Sequence, residues 1–180
     1  MNQVKAQHVE DVDKADADNV QEIAEYCGPI LRHMQEVEHN DLPSQSYMSR
    51  QSDINEKMRA ILVDWIIEVH LRFKMLPETL FLTVNLIDRY LERKQILRTR
   101  LQLVAVSALL IASKYEEIYV PEISDFVFIT DKAYTKQEIL DMERSILVTL
   151  EFNITVPSSY RFLQRFCKVA KVSDHLFHLA

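Results

Sequence analysis

Few side chains in this 180-residue sequence are spaced for chemistry. His175-x-x-His178 has the spacing of two metal ligands, but no further ligands accompany it near the end of the chain, so no metal centre is expected. Cys27 and Cys167 lie far apart without CxxC spacing, which fits reduced thiols of a nuclear or cytosolic protein rather than a disulfide framework. No GxGxxG, Walker loop, nucleophile elbow or HExxH occurs. Neither a catalytic residue nor a cofactor is expected. What remains is charged or amphipathic. Lys114 ends one apolar helical run and Glu143 sits on a later one, and by spacing alone they make an ordinary interhelical salt bridge, about 0–1 kcal/mol if exposed. Met58, Ile61, Leu62 and Trp65 recur at i, i+3, i+4 and i+7 on one helix face, a stripe that usually packs into a core.

The elements that must position these residues are helices. The sequence contains a single glycine, whereas turn-rich β folds and phosphate-cradling loops use glycine for positive φ and close backbone approach. With 48% hydrophobic and 27% charged residues the chain is of ordinary globular composition, and at this length it can bury roughly 70% of its unfolded surface. A net charge of −6 gives no electrostatic footprint for a phosphate backbone, so nucleic acid is not an expected partner. The polar, acidic N-terminus is neither a secretory signal nor a transit peptide. No apolar run approaches the about 20 residues of a membrane span, and a soluble intracellular protein is expected.

Residues 1–19 read as a flexible acidic leader. Residues 20–52 read as an N-terminal helix, interrupted or restarted at Gly28-Pro29, followed by a polar linker. Five helical units follow over 53–152. The first opens after Asp53, with Glu56 completing a capping box, and the second opens at Pro77-Glu78. The third, LQLVAVSALLIASKY, is apolar on nearly every side, as expected of a helix surrounded by others. Pro121-Glu122 opens the fourth, and Thr135 with Glu138 forms the capping box of the fifth. Over 153–180 the pattern restarts, and its last helix reaches Ala180 without a stop signal, so an incomplete second unit is expected, with apolar surface exposed around 157–180. The fold class is all-α: a five-helix bundle around a central apolar helix.

Four strings in order, MRAILVDWIIEVH at 58–70, LIDRYL at 86–91, LQLVAVSALLIASKYEEIYVPEISDFVFITDKAYTK at 101–136 and MERSILVTLEFNITVPSSYRFL at 142–163, carry a more specific message. Together they resemble the cyclin box of the mitotic A- and B-type cyclins, with B-type favoured, from about Tyr26 to Ala180. The resemblance implies a cyclin box at 53–152 and the start of a second cyclin fold at 153–180. It implies a regulatory subunit, not an enzyme, that binds and activates a cyclin-dependent protein kinase in G2/M, in the nucleus and cytoplasm.

By the same resemblance, Lys114 and Glu143 interact with each other and hydrogen-bond the kinase backbone near its C-helix. Tyr115, Glu116, Glu117, Leu147, Phe152 and Ile154 line that kinase-binding surface, joined by Tyr26 and Ile30 from the N-terminal helix. Gly28-Pro29 stands where family members usually carry acidic residues. Met58, Ile61, Leu62, Trp65, Glu68 and Gln102 match a docking groove for Arg-x-Leu-type peptides of substrates and inhibitors, the glutamate meeting the arginine; B-type members often lack that glutamate. Arg59 and Asp88 match a structural ion pair between the first two helices of the box. Two other readings stay open: a module that binds kinase without activating it, and a transcription factor of cyclin-like fold.

Overall fold

Helix starts follow the capping chemistry of the sequence, with one shift. The computed structural model describes residues 12–14 and 24–177. The helices are α1 (Cys27–Val37), α2 (Glu56–Phe73), α3 (Pro77–Arg93), α4 (Leu101–Glu116), α5 (Ile123–Ile129), α6 (Lys136–Thr149), α7 (Ser159–Val169) and α8 (Asp174–Phe177). Among the described residues every regular element is helical. α1 begins just before Gly28, so Pro29 falls in its first turn, where a missing N–H costs nothing. The shift is at α2. Its cap is Asn55, whose side-chain oxygen accepts from Met58 N–H at 3.0 Å, not Asp53. Asn55 directly precedes the helix in extended conformation, so its side chain is the one within reach of the third helical N–H. Asp53 instead accepts from the backbone N–H (2.7 Å) and Nε (2.8 Å) of Arg98, which hold its carboxyl below the usual carboxylate range.

α6 keeps its predicted cap. Thr135 Oγ1 accepts from Glu138 N–H, and the Glu138 carboxylate accepts from Thr135 N–H at 2.9 Å. These bonds place the Glu138 carboxyl below its ordinary value. Pro77 is in the first turn of α3. At α5 the Asp125 carboxylate accepts from Glu122 N–H, a cap that the proline signal alone did not reveal.

The core is organised around α4. Leu101 and every residue from Leu103 to Ser113 are buried, and α2, α3, α5 and α6 pack against it. Each neighbour presents one stripe at helical spacing: Leu62, Ile66 and Val69 from α2; Leu82, Leu86 and Ile87 from α3; Ile139, Met142 and Ile146 from α6. A helix with no solvent face has to satisfy its hydroxyls internally. Ser107 Oγ donates to Ile139 C=O at 3.2 Å and Ser113 Oγ to Leu110 C=O at 2.9 Å.

Neither α1 nor α7 has a buried residue. α7 leans on α3 through the Phe81 and Tyr160 rings, 5.7 Å apart, and an Arg161–Glu78 ion pair at 3.2 Å. Phe166 and Val169 on α7, and Leu176 on α8, are exposed. Of the predicted leader, 1–11 and 15–19 lie outside the described residues. At Asp13 both carboxylate oxygens accept from Arg165 of α7, at 2.5 and 2.8 Å, with Lys168 at 3.2 Å. The Arg165 guanidinium, first, and Lys168 hold the Asp13 carboxyl below its ordinary value.

With one glycine in the sequence, helix exits fall to other residues. Lys74, Asp131, Lys132, Glu151, Phe152 and Lys171 all have φ between 50° and 59°. That region costs an L-residue about 1–2 kcal/mol.

Candidate functional site

α4 emerges from the core at its last turn, and there its chemistry changes. Lys114 Nζ donates to Glu143 Oε1 of α6 at 2.7 Å. The Lys114 side chain is 49% exposed, while Glu143 is only 13% exposed. The pair sits at the C-terminal, electronegative end of α4, where a cation is favoured. It is open to solvent on the lysine side, so both remaining ammonium hydrogens are available to a partner.

Around it the predicted residues divide. Tyr115 is half exposed, and its hydroxyl is 2.5 Å from Thr155 Oγ1, which ties α4 to the link after α6. Phe152 is 65% exposed in left-handed conformation, its N–H bonded to Leu147 C=O at 2.8 Å. Leu147 and Ile154 are half buried and pack on the core with one side. Tyr26 and Ile30 are exposed at and near the start of α1. One turn further along α1, Met34 lines a cleft of about 300 Å³ together with Tyr115, Glu116 and Ile154. α1, the end of α4 and the link after α6 therefore share one face. Burial, then the nearby Glu78 carboxylate, raises the Glu116 carboxyl above its ordinary value, against the pull of Arg161.

Glu117 makes its bonds within the chain. Its Oε1 accepts from Leu76 N–H at 2.7 Å and from Thr79 Oγ1 at 2.5 Å, so it caps the start of α3. The carboxylate is engaged inside the chain because α3 begins with a leucine and a proline and supplies no cap of its own.

The stripe on α2 divides too. Leu62 is buried in the core, Met58 and Trp65 pack against it with part of their surface, and Ile61 (62% exposed) and Glu68 stand open. Gln102, in the first turn of α4, is half buried. Arg59 meets Asp88 in a bidentate pair, Nε to Oδ1 and Nη2 to Oδ2, both at 2.6 Å. The third member went unread in the sequence: Tyr47 donates its hydroxyl to Asp88 Oδ1 at 2.6 Å. Burial and the Asp88 charge raise the Tyr47 phenol well above its usual range, and Asp88 likewise raises the Arg59 guanidinium.

Sequence reasoning also passed over Ile118 and Tyr119, 87% and 91% exposed, directly after Glu117. Their signal was an apolar triplet, Ile118-Tyr119-Val120, in a loop before a proline, where no helix stripe can account for it. His175 is exposed on α8, and His178 lies outside the described residues. Among the described residues no cluster of His, Cys, Asp and Glu could hold a metal, and no helix is long and apolar enough to cross a membrane.

The family description "Cyclin, N-terminal domain" matches residues 29–155, most of the chain, from the first turn of α1 to the link after α6. The chain belongs to the cyclin family. Among its curated relatives are "G2/mitotic-specific cyclin-1" of Medicago sativa subsp. varia, 49% identical over 94% of this chain and 40% of the relative, and "Cyclin-B2-1" of Oryza sativa subsp. japonica, 51% identical over 92% of this chain and 40% of the relative. This cyclin chain therefore spans about 40% of the length of the relatives it matches, and their names agree with the mitotic, B-type expectation. In fold it is similar to a viral cyclin from herpesvirus saimiri, with a TM-score of 0.74 at 23% identity, over 83% of this chain and 66% of the other.

Proposed function

We propose that this chain is the kinase-binding part of a regulatory subunit that binds and allosterically activates a cyclin-dependent protein kinase in G2/M. It has no catalytic residue of its own and acts in the nucleus and cytoplasm. The observation that carries the reading is the Lys114–Glu143 pair, assembled by α4 and α6 yet open at the lysine, with exposed Tyr115 and Phe152 beside it. A buried partner backbone needs its polar groups satisfied, and a charged donor–acceptor pair does so more strongly than neutral groups. Exposed aromatics beside such a pair are the composition of an interface centre. In this reading Ile118 and Tyr119, exposed in the loop directly after Glu117, and Tyr26 and Ile30, exposed at the start of α1, add apolar area to the surface.

Activation follows from differential binding: the surface favours one arrangement of the kinase C-helix over others and shifts the population toward it. Met58, Ile61, Trp65 and Glu68 are the accessible part of a docking groove for Arg-x-Leu-type peptides, Leu62 forms its buried floor and Gln102 its edge. Residues 53–152 form the cyclin box, and 153–180 open a second fold. Nucleic acid is not a partner in this reading, which the net charge of −6 supports.

A pull-down on a recombinant cyclin-dependent kinase, with activity assayed in the bound fraction, tests both surfaces. Lys114→Ala/Glu143→Ala is expected to lower kinase retention at least about tenfold, a loss of roughly 1.4 kcal/mol. Met58→Ala/Trp65→Ala is expected to retain kinase but lose activity toward substrates carrying the docking peptide. Retention of kinase by the first variant at wild-type level would refute the site.

A further inference from the structure

One buried cation among the described residues is used by neither surface. Arg89, on α3, is 3% exposed, and its guanidinium reaches three separate parts of the chain. Nη2 donates to Asp41 Oδ1 at 2.8 Å, in the segment that follows α1. Nη1 donates to Asn153 C=O at 3.0 Å, in the turn that leaves α6, and more weakly to Asn85 Oδ1 at 3.4 Å on its own helix. The bonds close on themselves, because Asn153 Nδ2 donates to the same Asp41 oxygen at 2.7 Å and Asn85 Nδ2 donates to Asp41 C=O at 3.3 Å.

We infer that Asp41, Arg89 and Asn153 form a positioning clamp that presets the kinase-facing turn after α6 and fixes it relative to α1. The inference rests on the kinase-binding reading and adds residues that touch no partner. Its physical basis is what the clamp holds. Asn153 sits between Phe152 and Ile154, and Glu151 and Phe152 before it are both in the left-handed region at φ 54° and 58°. Two consecutive non-glycine residues there stay in place only if the surroundings over-determine them. The local contribution is the pair of bonds Phe152 N–H to Leu147 C=O and Asn153 N–H to Leu150 C=O. The clamp adds a long-range one, through a guanidinium whose burial makes it intolerant of a missing acceptor. On the other side Asp41 is only a few residues beyond Val37, the last residue of α1, so α1 and the Phe152 turn are registered on the same arginine. A surface preset in this way loses less freedom when a partner docks.

The test uses the full chain with Asp41→Asn, Asn153→Ala and a Phe152→Ala/Ile154→Ala background. Asn153→Ala keeps the Arg89–Asp41 pair and therefore the fold, should Asp41→Asn prove too disruptive. Hydrogen–deuterium exchange on the chain without partner should show faster exchange over 151–156 and 38–42 in both variants, with α4 unchanged. Titration with the same recombinant kinase should show about three- to tenfold weaker binding for Asp41→Asn, about 0.7–1.4 kcal/mol, and a loss nearer the lower figure for Asn153→Ala, which removes the Nδ2–Asp41 bond but keeps the Arg89 bond to the main-chain carbonyl of residue 153. In the Phe152→Ala/Ile154→Ala background that loss should largely disappear, since a clamp that acts through those side chains has nothing left to position. Unchanged exchange over 151–156, or an equal loss of affinity with and without Phe152 and Ile154, overturns the inference. Failure of the wild-type chain to bind kinase would overturn the kinase reading instead, and the exchange pattern would still decide whether the clamp presets the turn.

Discussion

The bundle of α2 to α6 and the two flanking helices α1 and α7 are built on opposite principles. In the bundle one helix is buried along twelve residues and its neighbours each give it a stripe. α1 and α7 are amphipathic as well, but neither buries a residue, and α7 is held against α3 by a ring contact and an ion pair. The comparison separates two jobs that a helical protein usually mixes. Stability resides where apolar area leaves water. The surface proposed for recognition lies at the bundle's margins: helix ends, exits and a loop, where side chains stay exposed.

The sharpest way to break this comparison is to exchange the two roles. Leu86→Ala, at a fully buried site on α3, is expected to cost about 2–5 kcal/mol in denaturant unfolding, whereas Ile30→Ala on α1 should stay within about 0.5 kcal/mol. Kinase affinity should rank the same two variants in the reverse order once the fraction folded is taken into account. Equal destabilisation by both would mean that α1 belongs to the core after all.

Charge pairs give a second, smaller contrast. Asp88→Ala leaves Arg59 and Tyr47 without their shared acceptor, and about 3 kcal/mol is expected, at the low end for a buried pair because Arg59 keeps 32% of its side chain exposed. Lys114→Ala breaks a pair of nearly the same length, 2.7 Å against 2.6 Å, at the margin and should cost only about 0–1 kcal/mol of stability. Thermal unfolding of the two variants side by side checks the ordering.

The smallest expected effect is a matter of pH. Glu116 binds its proton more tightly in the folded chain than in the unfolded one, chiefly because of burial and then because of Glu78. The sign follows from linkage: where the folded state holds more protons, stability falls as pH rises. The penalty is absent below the ordinary glutamate range and fully present above the raised value. Glu116→Gln should therefore raise Tm slightly at neutral pH, and the gain should shrink on acidification and vanish only well below pH 4.5, the ordinary glutamate value. A gain that persists at low pH would assign the effect to something other than ionisation.

Much of the bundle could be read from the sequence, because its information is local. Apolar periodicity placed α2, α3, α4 and α6, and Thr135 with Glu138 marked the start of α6. Lys114 and Glu143 come together as their helices require. What could not be read is of another kind. Asn55, not Asp53, caps α2 because it directly precedes the helix in extended conformation, and the aspartate is held by a long-range partner, Arg98. Glu117 bonds to the start of α3, which has no cap of its own. Tyr47 and Asp41 lie in a polar linker with no periodicity, and their partners are 41 and 48 residues away. Side chains that join distant segments leave no mark in a short window. Ile118 and Tyr119 are the intermediate case: the signal was present, but a search for helix faces does not find a loop.

The left-handed exits at Lys74, Asp131, Lys132, Glu151, Phe152 and Lys171 bear on how relatives of this chain should be compared. Glycine or asparagine at those six positions in another member of the family would relieve backbone crowding and leave the course of the chain intact. Drift toward small residues at positions 74, 131, 132 and 171 is then neutral evidence about recognition. At position 152 the same drift would delete an aromatic ring from the margin, so the backbone gain and the surface loss would arrive in one substitution.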